Sequence, residues 1–152
     1  MSTAAWHFTD KTLSQNIDPA VLRAFARRCA LDVLHLWPDA PAIVREYLET
    51  GDESIRSAAE SAVRDASLAV EMDDASMDDA AMDAAMDAAW VAASDADKAD
   101  AWDAARNAAI SSAWATESDA WDAAWADAWD AARDAALSKY DGWLVEMVEA
   151  AR

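Results

Sequence analysis

The chain is poor in residues that make turns and reactive sites. It has two glycines, Gly51 and Gly142, and three prolines, at 19, 38 and 41. With so few turn formers among 152 residues, the elements must be long. Strand-favouring residues are sparse, whereas alanine, the best helix former, is abundant. One cysteine, Cys29, excludes an intramolecular disulfide. Two histidines, His7 and His35, leave little material for acid–base or metal chemistry. No uninterrupted apolar run approaches the roughly 20 residues that span a bilayer. The start, "MSTAAWHFTDKT", lacks a charged segment followed by an apolar one, so no signal peptide is expected. The expectation is a soluble, cytoplasmic protein. Positive charge is scarce as well, with 12 Lys and Arg against 30 Asp and Glu, a formal net charge of −18. A nucleic-acid backbone or an anionic membrane surface needs basic residues, so direct binding to either is disfavoured.

What is present is alanine, aspartate and nine tryptophans. Disordered acidic segments are poor in aromatics, so the tryptophans argue for folding. The length suits one domain, 1–152, with a real core. The expected architecture is all-α, an antiparallel helical bundle or stacked helical hairpins of six to seven helices. The charge is unevenly spread. Residues 1–70 carry 10 acids and 7 bases, whereas residues 71–141 carry 18 acids and 4 bases. Three zones follow: near-neutral helices over 18–70, acidic repeat helices over 71–141, and a closing helix over 142–152.

In the first zone, Asp18 can cap a helix and Pro19 suits its first turn. Val21, Leu22, Phe25, Cys29, Val33 and Leu36 then recur at helical spacing, and "WPDAP" (37–41) stops it. A short helix is expected near 41–49, capped by Gly51, and a third over about 53–70, opened by Asp52. In "EMDDASMDDAAMDAAMDAAW" (71–90), methionines at 72, 77, 82 and 86 lead to Trp90. Five-residue steps cannot keep one helical face, so a break is expected near 73–76, with Ser76 and Asp79 as a restart. Ser94 with Asp97 and Thr116 with Asp119 offer further starts. Asp141-Gly142 is expected to end the repeats.

The stretch "AWDAAWADAWDAARDAAL" (120–137) separates residue types around a helix. At 100° per residue from Trp121, Trp114 falls near about 20°, Trp125 about 40° and Trp129 about 80°. Ala132 and Ala136 share that arc, whereas Asp122, Asp119, Asp130, Asp134 and Asp127 follow from about 100° to about 240°. A Trp/Ala face is expected inward and an Asp face outward.

The chemical alternatives are weak. Calcium loops need alternating oxygen ligands, a turn glycine and a final glutamate, and "DADKAD" (95–100) has neither the glycine nor the glutamate. Asp32 and His35 have helical i, i+3 spacing, but a di-metal bundle needs two such pairs and further carboxylates. His35 is expected to be partly buried near the "WPDAP" turn. Cys29 aligns with Leu22, Phe25 and Val33, as a core thiol would. No phosphate loop, zinc spacing or nucleophile elbow appears. No enzyme activity, cofactor or metal is expected. Trp143 and Trp6, outside the repeats, are the best candidates for partial exposure.

The acidic face remains. A halophilic surface would be acidic throughout, unlike residues 1–70. Aspartates four apart sit about 6 Å apart along the axis, close to the phosphate spacing of one nucleic-acid strand. Such a face fits a Lys/Arg-lined groove. The candidate partner-binding residues are Asp78, Asp79, Asp83, Asp87, Asp119, Asp122, Asp127, Asp130 and Asp134.

"LRAFARRCALDVLHLW" (22–37), "EYLETGDESIRSAAESAVRDAS" (46–67) and the Ala/Trp/Asp repeats resemble a family of alanine-rich helical immunity proteins of bacteria and phages. The resemblance covers 20–140, with 22–67 carrying its specific part. It implies a non-catalytic helical protein that neutralises a partner, and it supplies no catalytic residues. The family's repeats are richer in arginine, so the aspartates here depart from its pattern. The expected function is an acidic inhibitor of a basic target protein: a toxin, a nuclease or a nucleic-acid-guided defence complex. A DNA or RNA mimic of the anti-CRISPR type would be one form. The alternative is a structural module that homodimerises through its Trp/Ala face, the acids serving solubility.

Overall fold

The computed structural model describes residues 17–71, 80–94, 98–123 and 126–151, with the side chains of 70, 71, 98–100, 119–123 and 126–130 outside that description. Six α-helices form among the described residues: α1 (Pro19–Val33), α2 (Ala42–Thr50), α3 (Glu53–Glu71), α4 (Ala80–Ala93), α5 (Lys98–Ala123) and α6 (Ala126–Ala150). A 3₁₀ turn, Leu34–Leu36, follows α1, and no strand occurs among these residues. The fold is an all-α helical bundle.

Local chemistry explains the first boundaries. The Asp18 carboxylate accepts from the Ala20 N–H at 2.9 Å, and Pro19 occupies the first turn of α1. Gly51 ends α2 in the left-handed conformation, φ 68°, with its N–H donating to the Tyr47 carbonyl at 2.7 Å. A Cβ there would land 2.5 Å from the Arg27 guanidinium, which reaches over to donate to the Leu48 carbonyl. Asp52 opens α3 by accepting from the Ser54 N–H at 2.9 Å and its hydroxyl at 2.7 Å. Those two bonds hold the exposed Asp52 carboxyl below its ordinary pKa.

Two expected boundaries do not exist. α5 runs unbroken through Thr116, whose hydroxyl donates back to the Ser112 carbonyl at 3.0 Å instead of capping a new helix. α6 runs through Asp141 and Gly142, so residues 142–150 continue it and form no separate closing helix. Gly142 has a helical environment with no contact within 4 Å of an added Cβ. Tyr140 and Leu144 are buried on either side of it and carry the helix across. The break expected near 73–76 and the Ser76 restart lie outside the described residues. Of the Ser94–Asp97 start, Ser94 donates to the Val91 carbonyl at 2.7 Å as α4 ends, and 95–97 lie outside the description.

α5 is the central element, packing against α4, α1 and α6. α4 and α5 are joined by a short connection and pack along their lengths, which makes them an antiparallel hairpin. α5 and α6 form a second, with Arg133 opposite Glu117. α1 closes the centre against α4 and α5, and α2 and α3 flank it. One hydrophobic cluster draws residues from all six helices.

The wheel drawn from Trp121 predicts the wrong inward face for the described part of α5. The buried residues there are Ala101, Trp102, Ala105, Ala108, Ala109, Ser112, Ala113 and Ala115. Relative to Trp121 they fill an arc of about 120° to 280°. Trp114, near about 20° on the same wheel, is 52% exposed. Alanine decides the inward face because three neighbours crowd this helix, and small side chains let axes approach to about 8 Å. On α6 the same wheel places Ala136 and Asp134 correctly, buried and exposed respectively.

Polar groups pin the apolar layers. The Ser112 hydroxyl donates to the Cys29 carbonyl at 3.0 Å, joining α5 to α1 where both are dry. The Arg56 guanidinium donates to the Ala93 carbonyl at 3.1 Å, a cation on the C-terminal end of α4. Asp32 on α1 accepts at one oxygen from the Lys139 ammonium at 2.7 Å and the Tyr140 hydroxyl at 2.8 Å on α6. Arg28 stacks 4.1 Å from the Trp143 ring centre beside that pair.

Candidate partner-binding surface

The predicted acids divide into three groups. Asp83 and Asp87 are exposed on α4, and Asp134 is exposed on α6 with Arg133 Nε at 3.7 Å. Asp119 and Asp122 fall on α5, and Asp127 and Asp130 on α6, with side chains outside the description. Asp78 and Asp79 lie outside the described residues altogether. The structure therefore brings no more than α4's two acids and Asp134 onto a described surface.

Between α4 and α5 lies a groove of about 520 Å³, a size typical of small-ligand clefts. Ala80, Ala84 and Asp87 line it from α4, and Ser111, Trp114, Glu117 and Ser118 from α5. The alanines make the groove, because they leave room where larger side chains would fill the seam. Asp87 stands in its wall, and desolvation there raises its carboxyl above the ordinary value. Trp114 supplies an accessible indole.

Glu117 is the least expected member. Its side chain is 14% exposed, and its Oε2 is buried without a hydrogen bond among the described residues. Arg133 Nη1 stands 3.7 Å away, within ion-pair range but beyond a hydrogen bond. Leaving a buried acceptor without a hydrogen bond generally costs about 1–3 kcal/mol. The sequence pattern does not single out Glu117, and it places Trp114 on the inward face. The available signal was "ISSAWATES" (110–118), where serines and threonine interrupt the Ala/Asp repeat around one tryptophan.

The other candidate chemistry resolves into structure. Cys29 is fully buried, and burial, then the Asp32 charge, push its thiol well up, which makes it inert as a nucleophile. Tyr140 is fully buried, and burial followed by Asp32 raises its phenol far above 10.0. His35 is exposed on the 3₁₀ turn rather than partly buried, because the turn swings it off the face that carries Leu34 inward. Its i, i+3 partner Asp32 is engaged by Lys139 and Tyr140. Among the described residues, no group of three or more His, Cys, Asp or Glu could hold a metal. Trp143 is partly buried, as expected, and Trp6 lies outside the description. No described helix is long and apolar enough to cross a membrane.

No protein-family model matches the chain, and neither a curated protein nor a solved structure is significantly similar to it.

Proposed function

We propose that this protein is a non-enzymatic acidic inhibitor that covers a basic, nucleic-acid-binding surface of a target protein. The observation that carries the reading is the concentration of charge. Residues 71–141 hold 18 acids and 4 bases, the described part of that stretch is helical, and the first 70 residues are nearly balanced. Plain solubility does not require that asymmetry. Helices present carboxylates at fixed intervals, and a rigid acidic face steers toward a Lys/Arg-lined groove. The target class is a toxin, a nuclease or a nucleic-acid-guided defence complex in a bacterial cell. The role is immunity or phage counter-defence, with nucleic-acid mimicry as the physical means.

The test starts from partners captured at low salt and eluted by a salt step. Their association with the purified chain is then measured across ionic strength. The expected result is an association rate falling steeply between about 10 and 150 mM salt, over which the screening length shortens from about 30 to about 8 Å. Changing Asp122, Asp127 and Asp130 to Lys is expected to abolish it. Binding indifferent to both salt and charge reversal would rule the reading out.

One observation favours the second reading, self-association: Trp114 is half exposed. Light scattering decides it. A dimer that dissociates on Trp114→Ala would support it, and a monomer throughout would dismiss it.

A further inference from the structure

We propose that the groove between α4 and α5 is the receptor for an arginine side chain of the basic partner. This inference rests on the acidic-inhibitor reading and gives it a specific contact. The groove is not merely acidic. It offers three chemistries that a guanidinium uses together: an aromatic face, two carboxylates and hydroxyl acceptors.

Trp114 is the aromatic face. Exposed large apolar side chains are few among the described residues, Leu68 and Trp114, and Trp114 lines a cavity. A planar guanidinium stacks on an indole and keeps its N–H groups free at the edge. Asp87 from α4 and Glu117 from α5 lie in the walls of the same groove. Glu117 contributes the second, independent observation. Its Oε2 is buried and accepts no hydrogen bond among the described residues, while the residue itself lines the groove, so a guanidinium seated there would act on its carboxylate through charge at short range. Arg133 Nη1 stands 3.7 Å from that same oxygen and neutralises part of its charge without a hydrogen bond. Ser111 and Ser118 add hydroxyl oxygens on the same side.

Charge complementarity selects a cation, and the indole selects arginine over lysine. An ammonium is a compact, strongly hydrated point charge, and it gains less from a half-dry aromatic wall than a flat guanidinium does. A groove of about 520 Å³ admits one such side chain with its methylene stem against Ala80 and Ala84. A DNA- or RNA-binding surface, where arginine is common, is the natural source.

Calorimetric titration of the full chain with hexa-arginine and hexa-lysine peptides at low salt tests the assignment. The expected result is hexa-arginine binding at least about fivefold tighter, the scale of one partly desolvated cation–π contact. Trp114→Ala and Glu117→Gln are each expected to erase that preference by weakening hexa-arginine binding more than hexa-lysine binding. Trp114 is exposed, so Trp114→Ala should melt like the parent, and a melting curve checks this. Changing Asp122, Asp127 and Asp130 to Lys is expected to weaken both peptides alike. Equal binding of the two peptides, or a preference that survives Trp114→Ala, overturns the groove. If such binding is also salt-sensitive and lost on charge reversal, the acidic-face reading stands without it. If neither peptide binds, both fall. If the parent is a dimer that Trp114→Ala dissociates, a second copy is the occupant and the arginine assignment is wrong.

Discussion

At the scale of single residues, the buried polar groups act as pins between helices. Tyr140 is the clearest. It is fully buried, its hydroxyl donates to Asp32 at 2.8 Å, and its ring lies 5.4 Å from Trp143. Tyr140→Phe keeps the packing and removes the hydrogen bond. Asp32 is 25% exposed and keeps its Lys139 contact, so the expected cost is about 1.5 kcal/mol, the low end for a bond to a charged group. Urea denaturation at neutral pH measures it. The same residue sets the alkaline limit. A phenol raised in the fold stays protonated where the unfolded chain would ionise, so the unfolded state binds fewer protons as pH rises. The stability Tyr140 contributes is complete below its ordinary 10.0 and is lost progressively above it. Burial raises Tyr47 too, and Cys29, whose ordinary value is 9.0, adds the first part of the fall. Denaturation midpoints should therefore drop from about pH 9 upward, and the drop should be shallower in Tyr140→Phe. Equal slopes in the two proteins would remove Tyr140 from the explanation.

At the scale of elements, the two glycines make opposite predictions. Gly51 has a positive φ and Arg27 against its Cα, so Gly51→Ala is expected to cost about 1–2 kcal/mol. Gly142 sits inside α6 with open space around it, so Gly142→Ala is expected to stabilise by about 0.5–1 kcal/mol. Thermal melts of the pair decide whether α6 is continuous, because a helix end at Gly142 would make its substitution destabilising. The same contrast shows what the sequence could tell. The start of α1 at Asp18 and Pro19, the Gly51 cap and the Asp52 opening of α3 are local, side chain against its own backbone, and were legible. Gly142 was misread because a glycine punctuates only where tertiary contacts let it. Tyr140 and Leu144 bind both sides of it to the core. Thr116 was misread for a related reason, since its hydroxyl can either cap a helix or bond back within one. The face of α5 was misread because the argument gave the core to the largest apolar residue. A helix touching three others is buried by its alanines, and one tryptophan, Trp114, is left outside. Of the groove, Asp87 was named for its charge. Glu117 and Trp114 needed the α4–α5 register, which no local pattern encodes.

At the scale of the whole molecule, the governing quantity is a formal net charge of −18 on 152 residues. Compact folding brings like charges together, and the described ion pairs offset little of that. Arg133 meets Glu117 and Asp134 at 3.7 Å, Arg56 meets Glu53 at 3.9 Å, and Lys139 meets Asp32 at 2.7 Å. The more exposed of these, such as Arg133 with Asp134, contribute at most about 1 kcal/mol each, and four such contacts cannot balance an excess of acids this large. The excess over the acidic repeats must therefore act as net repulsion in the folded state, relieved by expansion on unfolding. Sodium chloride screens this repulsion more than it weakens the few pairs, so the melting temperature should rise with salt. For a chain of this size each 1 kcal/mol moves it by about 2–4 °C, and the expected rise between about 10 and 500 mM is several degrees. Calorimetry of the parent beside the variant in which Asp122, Asp127 and Asp130 become Lys isolates the cause, since the variant should show a smaller rise. The outcome also bears on function. A fold that bears this repulsion in isolation gains stability when a basic surface neutralises it, so the same carboxylates that weaken the free protein would strengthen the complex. A parent whose melting temperature ignores salt would mean that the acids are spaced widely enough not to repel, and a face that spaced out could not concentrate field on a partner either.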